Sequence, residues 1–182
     1  TLEYLSDEGL TIEKQFFIDY KNDDGSTLRV YQVRQDINLI SIAKGKNIAN
    51  GNEIIVEKLY SDAHDLKEGA KIKLGSKEFT LTGTGFTTDI ENPRKNDNDI
   101  SSNKNIFGTA FVSSNNYSML EALGEYENSQ VYRYAYLLNG KMTNDELKNY
   151  ISNLELDINK IKDKYFLEML NEAKNNITAE MA

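Results

Sequence analysis

The stretch from Gly51 to Gly85 limits the fold more than any other part of the chain. Its apolar runs are short, and turn residues interrupt them at close intervals. Glu53-Ile54-Ile55-Val56 reads as a short strand, and Glu57 to Ala63 as one or two helical turns. Leu66-Lys67-Glu68-Gly69 reads as a turn. Lys71-Ile72-Lys73-Leu74 alternates polar and apolar residues, the pattern of a half-buried strand. Gly75-Ser76 turns the chain, and Phe79-Thr80-Leu81-Thr82 returns as a partner strand, which makes a β-hairpin.

The flanking segments extend this pattern. Phe16 to Tyr20 and Leu28 to Val33 flank Asn22-Asp23-Asp24-Gly25, whose residues tolerate positive φ, so a second hairpin is predicted there. Leu2 to Gly9 reads as the end of a helix, with Gly9 as its stop. Asn92 to Asn105 is a polar, exposed loop, and Ile106 to Val112 a buried strand. Ser113 to Leu123 holds a short helix or turn, and Gln130 to Leu138 a strand closed by Asn139-Gly140. Thr143 and Glu146 have the spacing of a capping box. Leu147, Ile151, Leu154, Ile158, Ile161 and Tyr165 then mark an apolar stripe, better suited to packing within the domain than to a coiled coil. The expected class is α+β: small mixed or antiparallel sheets with hairpins, and helical N- and C-terminal ends. The chain is expected to form one domain over 1–182, with lobes at 1–112 and 113–182.

Apolar residues make up 39% and charged residues 27% of the 182 positions, a globular balance. The net charge of −8 comes without a basic stripe, so nucleic acid is not an expected partner. No cysteine is present, which removes disulfides and thiolate chemistry. No stretch approaches the ~18 consecutive apolar residues that a membrane helix needs. The chain begins at Thr1 rather than Met and is expected to be processed or excised from a longer protein.

Chemistry-bearing residues are sparse. His64, the single histidine, lies in Ser-Asp-Ala-His-Asp and is expected to be a solvated surface residue. Asp97, Asp99, Ser101 and Asn103 have the alternating oxygens of a calcium loop. They lack its central Gly and closing Glu, so a solvated loop is expected. Gly83-Thr84-Gly85 lacks the remainder of a phosphate-binding signature and reads as a turn or bulge. Tyr132, Tyr134 and Tyr136 alternate and so share one strand face. They form either a core face or a platform for a peptide, sugar or protein partner. The opposite face, Val131, Arg133, Ala135 and Leu137, is only partly apolar, which favours the core. No catalytic residue, cofactor or metal ligand is assigned, and enzyme activity is not expected.

The Gly51–Gly85 unit resembles the periplasmic core domain of MacB-like proteins and the large extracellular domain of FtsX-like permeases. The residues that carry the likeness are Gly51-Asn52-Glu53-Ile54-Ile55-Val56, Leu66 to Gly75, and Lys77 to Gly83. A looser likeness runs from Glu13 to Val112. The motif is structural and carries over no functional residue. The resemblance implies an extracytoplasmic domain placed between two membrane helices of an ABC-transporter permease, on the extracellular face of the cell membrane. A separate cytoplasmic ATPase subunit would drive it, and a peptide or protein would be its ligand outside the cell. A free secreted or surface-anchored binding module, using the tyrosine strand, is the alternative.

Overall fold

The computed structural model describes Leu5 and residues 9–49, 51–90, 92–96, 98–127 and 130–153. Two compact units are present, Thr1–Lys141 and Met142–Ala182. The boundary lies after Lys141 rather than after Val112, because the segment that follows Val112 is built into the first unit. Of the expected N-terminal helix, only Leu5, helical and buried, and Gly9, at φ +87°, lie among the described residues.

The first unit is α+β. Its strands are β1 (Leu10–Lys14), β2 (Phe17–Lys21), β3 (Thr27–Gln32), β4 (Ser41–Gly45), β5 (Glu53–Glu57), β6 (Lys71–Leu74), β7 (Lys77–Phe86), β8 (Phe107–Val112) and β9 (Tyr134–Leu138). Helix α1 (Lys58–Ala63) follows β5, and α2 (Ser114–Leu123) follows β8. Seven strands form a mixed sheet in the order β2-β3-β8-β5-β7-β4, with β6 added to β7. Both predicted hairpins are present: β2 and β3 pair antiparallel with Phe17 opposite Tyr31, and β6 and β7 with Ile72 opposite Phe79. The β3–β8 and β5–β7 pairs are parallel, and β5–β8 is antiparallel.

Neighbouring residues of the central strands point to opposite sides, and both sides are buried. Ile18, Val30, Ala110 and Val56 align in register across one face. That face continues into Leu28, Ile54, Phe79 and Leu81, and Tyr60 of α1 and Leu120 of α2 cover it. Phe17, Tyr31, Phe111 and Ile55 align across the other face. Helix α2 starts at Ser113, whose hydroxyl accepts from the Asn116 amide, and ends at Gly124 with φ +66°.

Gly83-Thr84-Gly85 lies inside β7 and is not a turn. The bulge lies just before it: Ile54 pairs with Leu81 but Ile55 with Gly83, which leaves Thr82 as the extra residue. The glycines admit β4. A Cβ on Gly83 would meet the Lys46 carbonyl oxygen at 2.5 Å, and one on Gly85 the Ser41 oxygen at 2.6 Å.

β9 is shorter than the predicted strand, but its backbone alignment continues past β1. Lys14 faces Tyr134 and Ile12 faces Tyr136 in the antiparallel β1–β9 pair. The Gln15 amide then donates to the Arg133 carbonyl (2.8 Å), Phe17 bridges Val131, and the Glu127 amide donates to Asp19 (2.8 Å).

In the second unit, α3 (Asn144–Ser152) carries the capping box read from the sequence: Thr143 accepts from the Glu146 amide, and Glu146 from the Thr143 amide at 2.8 Å. Leu147 is buried, but Ile151 is 53% exposed, so the stripe is not uniformly covered. The helix ends at Ser152 with Asn153 as its C-cap, and the stripe residues from Leu154 onward lie outside the described residues.

Candidate functional site

The β2–β3 turn places a polar cluster at the end of α1. Gly25, at φ +85°, closes the turn, and its amide donates to the Asn22 carbonyl at 2.9 Å. The Asp24 Oδ1 accepts from the Ser26 amide (2.8 Å) and hydroxyl (2.6 Å). Ser26 is 1% exposed, and its Oγ lies 2.7 Å from the Tyr60 hydroxyl. The Asn22 amide donates to both hydroxyls at 3.0 Å.

His64 completes the cluster, and the expectation of a solvated histidine is corrected here. Its side chain is only 16% exposed, and its ring stacks on Tyr60 at 4.0 Å between centroids. Nδ1 lies 3.1 Å from Asp24 Oδ2, and Nε2 lies 3.2 Å from the Lys104 carbonyl oxygen. The Lys104 ammonium in turn reaches the buried Glu57 at 3.1 Å. The burial has a simple origin: His64 lies four residues after Tyr60, one helical turn on, with its amide donating to the Tyr60 carbonyl at 3.0 Å, so it faces the side that Tyr60 occupies.

Serine, aspartate and histidine thus meet, but not in the order that activates a nucleophile. The carboxylate stands between the other two, and the serine hydroxyl is buried with its hydrogen-bonding capacity used. What the cluster does is bind three segments together: the β2–β3 turn, the end of α1 and the loop before β8. The Ser26 hydroxyl, followed by the Ser26 amide and His64, holds the Asp24 carboxyl below its usual range despite an opposing contribution from burial. Burial pushes the Tyr60 phenol up.

Beside the cluster opens a cavity of about 410 Å³. Leu28, Tyr60, Leu66 and Ile72 supply its apolar surface, and Lys21, Asp23 and Lys73 lie at its polar margin.

The opposite sheet face carries its own buried charge. Arg29 meets Asp19 through two bonds of 2.9 Å and lies 4.0 Å from the Phe17 ring centroid. Arg34, with a side chain 1% exposed, pairs with Asp89 at 2.6 Å and lies 5.3 Å from the Tyr31 ring. Burial pushes the Tyr31 phenol up to about 12, against the pull of Arg29, Arg34 and Arg133.

The tyrosine strand is not core. Tyr132, Tyr134 and Tyr136 are 45%, 46% and 46% exposed, so the core expectation is overturned. Phe16 packs edge-on against Tyr132 and Tyr134, with centroids at 4.8 and 5.1 Å, and widens the aromatic surface. Ile12 and Lys14, opposite Tyr136 and Tyr134, share that face.

In the polar loop, Asp97 lies outside the described residues. Asp99 accepts from the Asn96 amide at 2.9 Å, and Asn103 accepts from Asn105 at 3.1 Å, so both are spent on local turns. Among the described residues, no group of three or more metal-ligating side chains assembles, and no helix is long and apolar enough to cross a membrane.

No family model, curated protein or solved structure matches the chain.

Proposed function

We propose that this chain is the extracytoplasmic domain of an FtsX-like or MacB-like ABC-transporter permease that engages a peptide or protein partner through the Phe16–Tyr132–Tyr134–Tyr136 surface. The exposed aromatic face carries the reading. Half-exposed aromatic side chains aligned on a ribbon supply large contact area at little conformational cost, which suits recognition. The permease assignment is supported by the order β5–α1–β6–β7, which follows the strand, short helix and hairpin of the resemblance. The domain would sit on the extracellular face of the membrane, and a separate cytoplasmic ATPase subunit would drive it. The complete reading frame tests the assignment: membrane helices of about 20 apolar residues are expected on both sides. A frame without them removes the permease reading and leaves a secreted or surface-anchored binding module that uses the same face.

A further inference from the structure

We infer that the cavity between the β2–β3 turn, α1 and β6 binds the C-terminal end of a short peptide, with the terminal carboxylate at Lys21 and Lys73 and an apolar last side chain against Leu28, Leu66 and Ile72.

Three observations carry this. The first is shape: a cavity of about 410 Å³ falls within the range of small-ligand sites, about 300–1,000 Å³. The second is charge. The whole chain is acidic, at −8, yet the uncommitted charges at this mouth are two ammonium groups against one carboxylate. Lys71 is engaged by Thr80 at 2.9 Å and Glu78 at 3.6 Å, and both Asp24 oxygens are held by Ser26 and His64. Lys21, Lys73 and Asp23 have no such partner among the described residues. An anion therefore finds net attraction from the uncommitted charges at this mouth. The third is rigidity. The Asn22–Ser26–Tyr60–His64 cluster fixes the turn and α1, so the wall is formed before a ligand arrives. An apolar floor with a cationic margin matches a molecule that is apolar at one end and carries a carboxylate beside it. A peptide C-terminus with a leucine-like last residue has that chemistry.

The inference goes beyond the permease reading and stands or falls separately from it, since the cavity and the tyrosine face involve different residues. The test is calorimetric titration of the 182-residue chain with N-acetyl-Gly-Gly-Leu, its C-terminal amide, and N-acetyl-Gly-Gly-Gly. The free acid is expected to bind, and the amide about tenfold or more weaker, the loss of one charge-assisted contact. The glycine analogue is expected to be weaker as well, and added salt to weaken the free acid. Lys21→Ala and Lys73→Ala, both at exposed positions, should each weaken binding without lowering the melting temperature. Equal affinity for acid and amide overturns the inference, as does an absence of binding by the free acid.

Discussion

Ser26 shows how one small side chain can hold a site together. Its hydroxyl serves Asp24, Tyr60 and Asn22, and its 1% exposure means that water cannot replace it. Ser26→Ala removes those bonds while the partners stay in place, and an unsatisfied buried group costs about 1–3 kcal/mol. The urea midpoint of the variant should fall accordingly; an unchanged midpoint would show that the cluster contributes nothing to stability. Asp19 is a harsher case. Its side chain is 5% exposed and meets Arg29 through two bonds, so Asp19→Ala leaves a guanidinium without its counter-ion between aromatic rings. A broken buried pair costs about 3–5 kcal/mol, a large share of a small domain's stability. Arg29 opposes the loss of its charge for the same reason: burial disfavours the ion, but the Asp19 carboxylate outweighs it and raises the guanidinium pKa.

Local elements were the most legible part of the sequence, because their signals lie within a few residues. The Asp24-Gly25 and Gly75-Ser76 turns each connect strands that pair with the next in sequence, so turn chemistry alone located both hairpins. The Thr143 box was equally readable, and it gives a titration with a clear sign. The Thr143 amide and hydroxyl hold the Glu146 carboxyl below its usual 4.5. A carboxyl whose folded pKa lies below its unfolded value stabilises above the unfolded value, and that contribution is lost as pH falls through the folded one. Amide protection in the first turn of α3 should therefore be retained at neutral pH and fall once pH drops below about 4.5. Glu146→Gln should lose this dependence; protection that falls identically in both proteins would assign the acid effect elsewhere. The Thr82 bulge was half-legible. Two glycines in Gly83-Thr84-Gly85 signalled a backbone irregularity, but β4, which they make room for, arrives from some forty residues upstream, at Ser41–Gly45.

At the scale of the whole molecule, the sequence patterns stop where long-range pairing begins. Nothing local states that β8 lies parallel to β3, or that β7 joins β4 to β5, since those pairings close long loops. The candidate site was hidden for the same reason. Asp24, His64 and Lys104 come together only through that topology, so His64 looked like a surface residue in a polar run. Alternation showed that Tyr132, Tyr134 and Tyr136 share a face but not whether anything covers it, and the partly apolar reverse side pointed the wrong way. The sheet supplies the control for a decisive comparison. Phe111 is 1% exposed and stacks on Tyr31 at 5.6 Å, in the row that spans β2, β3 and β8. Phe111→Ala opens a cavity there and should cost about 3–5 kcal/mol. The triple variant Tyr132→Ala, Tyr134→Ala, Tyr136→Ala removes more aromatic mass but from side chains that water already reaches, and each change should cost about 0.5 kcal/mol. Thermal unfolding should therefore rank the triple variant above Phe111→Ala. A triple variant that melts below the Phe111 variant would make the tyrosines part of the stabilising framework. The opposite ranking is the one expected of a face that serves recognition rather than stability.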